Sequence, residues 1–461
     1  MSISKICSYI IFSFTLLNAS FGQGSLNTPK INSPYSRIGL GDFVDQEYVG
    51  SASMGGMGAS FHDNYYLNIV NPASFAYLKS TAYELGLNTT YTYTKATTKN
   101  FDNWSGNLGY LAIGFPLKNP INQILDKRKP SKYDWGMGFS LTPYTIVGYN
   151  LQINNNVEGI GNHTFQYIGK GGTYKINWSN AIKYKDWAFG VNLGYFFGKI
   201  SKEQYITFSE LGGAYFNDYF TNESNVGGFI WNAGAQYDYV YKKLNENNEM
   251  VPTGKRITFG LSGNLSNNIS IKSTQFKERI SYQYAQTNSS GSSIYSADTL
   301  VSPATEIKNN GSLPATVNAG VCLQQDNKYK IGVQISYSAW ANSLSEYTSD
   351  VLKNSMKVSV GGEFIPDYIS YNNYLKRIRY RYGVFYDNDP RSLNDNQMKK
   401  YGVTFGFGFP IILPRQQTSF VNLGVEVGQN AIKNSLEQTY CKISIGFTLN
   451  DNGWFYKRRY Q

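Results

Sequence analysis

The chain is short of histidine, cysteine and charge, and each shortage closes off a class of function. Only two histidines, His62 and His163, occur in 461 residues. A metal cluster needs more nitrogen or sulfur ligands than that. Of the three cysteines, Cys7 falls in a leader, and Cys322 and Cys441 are too few and too far apart for a disulfide framework. Beyond residue 22 no stretch reaches the roughly 18 apolar residues of a spanning helix. Charged residues make up only 16%, low for a soluble exported enzyme. Catalytic signatures are equally thin. GLSGN (260–264) lacks the full nucleophile-elbow pattern. GKGG (169–172) lacks the Lys-Ser/Thr of a phosphate loop. The sequence therefore points away from an enzyme, and no cofactor or metal is expected.

What is present points to export and to a membrane. Lys5 precedes CSYIIFSFTLLNASFG, an apolar run ending in small residues. It reads as a signal peptide over residues 1–22, cleaved before Gln23, with no lipid-anchor setting around Cys7. Aromatics reach 16%, with 39 tyrosines and 45 glycines. That mixture suits a β-barrel with aromatic belts outside and a polar interior. The net charge of +11, on an exported chain, fits attraction to anionic lipid headgroups rather than to nucleic acid.

The period of the hydrophobic pattern sets the fold class. In WAFGVNLGYFF (187–197), Trp187, Phe189, Val191, Leu193, Tyr195 and Phe197 share one face, opposite mainly Ala, Gly and Asn. YGVTFGFGF (401–409) and CKISIGFTL (441–449) repeat the arrangement. Successive strand side chains point to opposite faces, so each segment has one greasy side and one small or polar side. These runs reach about ten residues, the length of a membrane-spanning strand. About fourteen of them follow, from 81–94 to 437–449, which predicts an all-β, transmembrane antiparallel barrel over residues 80–450. An even count puts both termini on the periplasmic side. Connections 199–224, 269–313 and 341–355 are then long outer loops, while 117–133 and 243–254 are unusually long inner ones. On this phase Cys322 faces the lumen and Cys441 the lipid, as two free thiols. A basic periplasmic tail occupies 451–461.

Such a barrel leaves a lumen unless something fills it. Residues 23–79 are the candidate plug. Gly55, Gly56 and Gly58 allow close packing or positive φ, and Asn71-Pro72-Ala73 makes a turn before the wall. A disordered tail fits poorly with Met54, Met57, Tyr65, Tyr66, Leu67, Ile69 and Val70. The order of signal peptide, SMGGMGASFHDNYYLNIVNPAS (53–74) and fourteen strands resembles the FadL-type outer-membrane proteins. NSPYSRIGLGDF (32–43), LTPYTIVGYN (141–150) and WFYKRRYQ (454–461) resemble a Bacteroidota branch of them. The resemblance implies a 14-stranded barrel with an N-terminal hatch, carrying long-chain fatty acids or other hydrophobic compounds. It places only Gly55, Gly56, Gly58, Asn71, Pro72 and Ala73 in the hatch motif.

Arg377, Arg379 and Arg381 fall on the inward phase, with Glu84, Asp238, Glu363, Glu426 and Lys442. This strip either meets an anionic ligand or consists of charges that pair with one another and hold the hatch, since buried charges need partners. Two functions remain open. One is passive uptake of a hydrophobic small molecule through a Gram-negative outer membrane, from an outer-loop site past the hatch, by a barrel whose other partner is outer-membrane lipid. Against it, loop 269–313 carries Tyr282, Tyr284 and Tyr295 but is otherwise polar. The other is a non-transporting subunit of a secretion or assembly complex, docking a protein partner through outer loops or through 117–133.

Overall fold

The computed structural model describes residues 33–451, apart from 96–99, 119–131, 158–160, 209–215, 245–249, 288–292, 299–304, 342, 345–350, 414–416 and 434. The expected signal peptide, residues 23–32 and the basic tail beyond Asp451 lie outside the described residues, as does most of the connection 117–133.

Alternating segments of the kind read above become fourteen antiparallel wall strands. They are β1 (Thr81–Lys95), β2 (Phe101–Pro116), β3 (Tyr133–Val157), β4 (Gly161–Tyr184), β5 (Trp187–Phe208) and β6 (Phe216–Leu244). β7 joins Met250–Asn264 to Asn267–Thr287, and β8 joins Ser293–Asp298, Thr305–Leu313 and Thr316–Gln325. The ring continues through β9 (Tyr329–Ser338), β10 (Ser355–Phe364), β11 (Arg379–Leu393), β12 (Asn396–Leu413), β13 (Gln417–Ala431) and β14 (Glu437–Asp451). Neighbours in sequence are neighbours in the sheet. β14 then closes on β1 from Glu437↔Lys95 to Asp451↔Thr81. The end holding Thr81 and Asp451 is called the near end. Tight turns there use left-handed residues, Lys185 (φ 54°) between β4 and β5 and Asn327 (φ 55°) between β8 and β9.

The outward face is a greasy belt. On β5 the whole set from Trp187 to Phe197 is exposed, and on β9 so are Ile331, Val333, Ile335 and Tyr337. Water does not tolerate a contiguous apolar band of this extent on a monomer; bilayer hydrocarbon does. Cys322 is buried on the inner face, Cys441 lies on the outer phase, and both are free thiols.

Two expected outer loops are instead wall. β5 and β6 run on through most of 199–224, and β7 and β8 through most of 269–313. The inner connection 243–254 likewise shrinks, because β6 continues to Leu244 and β7 begins at Met250. The reason is a reversal of polarity with height. Toward the far end Val226, Ile230, Ile269, Ile271 and Leu313 point inward and are buried. Lys199 pairs with Glu223 at 2.9 Å on the solvent-facing side. A strand above a bilayer has water outside and core inside, so the greasy outer stripe that marks a spanning strand disappears.

Candidate functional site

Residues 33–80 contain little regular structure and lie across the inside of the ring. The short helix Val49–Ala52 touches β12, β13 and β14, while the 3₁₀ helix Pro72–Tyr77 touches β2 to β6. Asn71 makes that second helix possible. Fully buried, it accepts the Ala73 N–H at 3.1 Å through Oδ1 and donates through Nδ2 to the Ala59 carbonyl at 2.6 Å. Pro72, lacking an N–H, begins the turn behind this cap, and Ala73 packs on Ala188 of β5. Gly55 takes φ 73° and its N–H donates to Thr404 Oγ1 at 2.9 Å; Gly56 takes φ 83°. The Gly58 N–H donates to Gln334 Oε1 at 2.7 Å, and a Cβ on Gly58 would stand 2.6 Å from that of Val70. All six motif residues therefore sit where this segment meets the wall or turns on itself.

The predicted inward charges gather against the same segment. Asp63 accepts from Arg379 Nη1 at 2.9 Å and from Lys330 Nζ at 2.5 Å. Glu363 accepts from Arg381 Nε at 2.8 Å and Arg379 Nη1 at 3.3 Å. Glu84 accepts the Leu67 N–H at 2.7 Å. Glu426 pairs with Lys442 at 3.0 Å, and Lys442 with Asp45 at 3.3 Å. Asp238 accepts from Thr258 at 2.7 Å, with Lys183 at 3.5 Å and His62 at 3.9 Å.

Arg377 departs from the expectation. It belongs to the 3₁₀ turn Tyr374–Arg377, which Asn373 caps, so it lies outside the strip and over the Tyr374 ring. The wall strand starts only at Arg379.

The sequence reading missed the acids of the segment itself. Asp45 meets Lys400 at 3.1 Å and Lys357 at 3.4 Å, and Asp42 pairs with Arg391. Lys357 and Lys400 were discoverable, since each shares a phase with Gly and Ser or Thr on its strand. An irregular segment has no period, so Asp42, Asp45 and Asp63 gave no comparable signal.

Burial pushes the Asp63 carboxyl up, but the Arg379 and Lys330 charges outweigh it and hold the group well below the usual carboxylate range. For His62 burial dominates and pushes the imidazole down to about 3 from its ordinary 6.5. The folded state then binds fewer protons than the unfolded one between those values. Stability is lost as pH falls through that window, by about 1.4 kcal/mol per unit. Thermal unfolding of His62→Gln should accordingly show a shallower decline than wild type from pH 6 to pH 4. Parallel curves would place His62 in water.

The wall itself has a break. β2 and β3 are paired only from Leu111↔Leu141 to Pro116↔Gly136. Among the described residues no ladder joins the remainder of β2, 101–110, to β3. Gly109 is the extra residue of a bulge, because Tyr110 pairs with Gly86 but Leu108 pairs with Leu87. Tyr110 turns inward, stacks on Tyr48 at 4.0 Å and accepts the Val49 N–H at 3.1 Å. The exposed edge of β3 is covered in part by the N-terminal segment. Asp42 and Phe43 pair with Ile146 and Thr145, and the Ser33 N–H donates to the Gly148 carbonyl at 3.2 Å. Pro143, without an N–H, sits on this edge, where a strand tolerates proline. Outside the closed part of the seam lies an apolar concavity of about 700 Å³, lined by Leu85, Leu111, Ile113, Phe139, Leu141 and Ile176 among others.

A family model described as BamG matches residues 3–461. Among curated proteins none matches the chain. Among solved structures, a Pseudomonas aeruginosa FadL homologue is similar at 10% identity and TM-score 0.52, over 90% of this chain and 99% of that one. The Ralstonia pickettii toluene transporter TbuX is similar at 13% identity and TM-score 0.50, over 89% and 99%. The CymD monoaromatic hydrocarbon channel is similar at 13% identity and TM-score 0.50, over 90% and 99%. At these identities the likeness is one of fold.

Proposed function

The chain belongs to the BamG family, and from that premise we propose that it passes hydrophobic small molecules passively across a Gram-negative outer membrane. Both termini then face the periplasm, the near end is the periplasmic end, and residues 23–79 act as a hatch. The carrying observation is the broken seam between β2 and β3, with a large apolar concavity below it on the lipid face. The hatch, tied down by Asp63, Asp45 and Asn71, obstructs a straight path along the axis, so an apolar solute leaves sideways into the bilayer. Two of the structural neighbours are named for aromatic hydrocarbons, which supports an apolar cargo. The Bacteroidota branch belongs to the same reading, on the stretches quoted for it.

Deleting Gly109 tests the route. Removing the extra residue lets β1 and β2 pair without a bulge and straightens β2 toward β3. Uptake of radiolabelled toluene by cells making the variant should fall to the level of cells lacking the protein, while the barrel still folds. Undiminished uptake by a folded variant would rule out the lateral route.

The second reading, a non-transporting subunit, is favoured by one feature: the ion pairs clamp the hatch as firmly as a permanent cork. It requires a stoichiometric protein partner after gentle extraction, with no bound apolar compound. Mass spectrometry of the extracted protein separates the two.

A further inference from the structure

Above the Asn-Pro-Ala turn the lumen keeps a polar cavity of about 260 Å³, between the N-terminal segment and residues of β3 to β11. Its floor is Ile69 and Val70, the two residues before Asn71. Three asparagines of neighbouring strands line it, Asn177 of β4, Asn192 of β5 and Asn232 of β6, the last two directly opposite one another in the ladder. Asn192 is 4% exposed. Its Nδ2 donates to the Ile69 carbonyl at 2.9 Å. Its Oδ1 is buried without a hydrogen-bond partner, and so is the Oδ1 of Asn232. Two idle acceptors in a native interior are met by ordered water or by the donors of a bound molecule.

One charge on the same wall is also uncompensated. Lys175 of β4 borders the cavity with its ammonium 3.8 Å from the Tyr144 ring centroid. Among the described residues no carboxylate lies within ion-pair distance of it. Asp45, Glu47 and Asp387 also border the cavity. Asp45 and Glu47 are already engaged by Lys357, Asp45 by Lys400 and Lys442 as well, and Asp387 accepts from Ser355 at 3.3 Å. Every other inward cation named above has its acid. A half-buried ammonium left on a ring face alone gains from an anion.

We propose that this cavity binds a small hydroxylated carboxylate. Its anionic group meets Lys175 and its hydroxyls donate to Asn192 and Asn232. The volume, below the roughly 300 Å³ at which drug-sized pockets begin, admits a molecule of about sugar-acid size. The amide of Asn192 that reads the ligand also holds the carbonyl two residues ahead of Asn71. Occupancy therefore bears directly on the turn that seats the hatch. This ligand is distinct from an apolar cargo, and the site stands or falls independently of uptake through the seam.

Calorimetry on the detergent-purified full chain tests it, with sodium gluconate as the probe and sodium acetate and glucose as controls. Wild type should bind gluconate, and acetate and glucose more weakly, since acetate lacks the hydroxyls and glucose the charge. Lys175→Met should weaken gluconate binding about tenfold or more, the scale of one charge-assisted hydrogen bond. Asn192→Leu should weaken it as well. Absence of gluconate binding to wild type overturns the proposal, as does equal binding of acetate or unchanged binding by folded Lys175→Met. Heat-modifiable mobility on gels establishes folding, and if Lys175→Met does not fold, Asn192→Leu decides by the same criteria.

Discussion

Arg379→Glu is expected to release the N-terminal segment from the lumen and to lower the thermal stability of the barrel severely. Arg379 is 3% exposed and stands between Asp63 of the segment and Glu363 of β10. Removing one partner of a buried pair costs about 3–5 kcal/mol, because the other charge is left uncompensated. Reversal goes further, setting a new carboxylate beside two existing ones with only Lys330 and Arg381 to answer all three. The guanidinium also covers the rings of Tyr66 at 5.1 Å and Phe420 at 4.7 Å, and that packing is lost too. Gel mobility before and after heating reads the outcome. A variant that keeps the wild-type unfolding temperature would mean that Arg379 faces the lipid, and the strand phase assigned to β11 would be wrong.

Gly260→Val attacks the same seating by steric means. A Cβ on Gly260 of β7 would lie 2.0 Å from the Ala59 carbonyl oxygen and 2.7 Å from the Ser60 Cα. These are backbone atoms, and a backbone held by Asn71 and Gln236 cannot shift by an ångström without losing those bonds. The same close approach recurs at Gly190 against Pro72 and at Gly383 against Gly55, so the segment rests on several bare patches of wall. Valine suits a strand, so the barrel should still form. The expected product is a folded wall with its lumen unblocked, seen in planar bilayers as a large, steady conductance absent from wild type. A closed channel in a folded variant would show that the segment does not rest on β7.

The two variants probe features of very different legibility. Arg379, Glu363, Glu426 and Lys442 were readable because a strand fixes the face of every second residue, and only Arg377, in a capped turn ahead of its strand, escaped. The acids that answer them, Asp45 and Asp63, lie in a segment without a period. The bulge at Gly109 had left a trace. The outward residues of β2 run Leu108, Leu111, Ile113 and Phe115, and the single spacing of three marks a slip of phase. The upper parts of β5 to β8 were read as loop because their polarity is reversed. A pattern search tuned to greasy exteriors finds no outward apolar stripe there.

The wall is also uneven in height, and the unevenness has a geometric consequence. β9 and β10 have ten residues each, whereas β6 has 29. At about 3.3 Å per residue and a tilt near 40°, ten residues cover about 25 Å, which is the apolar band and nothing more. β6 climbs to roughly 70 Å on the same measure. The far rim is therefore a slope, high over β6 and down to the membrane surface at β9. A molecule arriving along the membrane plane meets a screen on one flank and a low sill on the other. The connection after β9 lies at that sill, and it turns Trp340, Leu344 and Leu352 into the core beside Leu40. On that side the rim is bounded by the connection 339–354, whose described residues Trp340, Leu344 and Leu352 are anchored on the N-terminal segment.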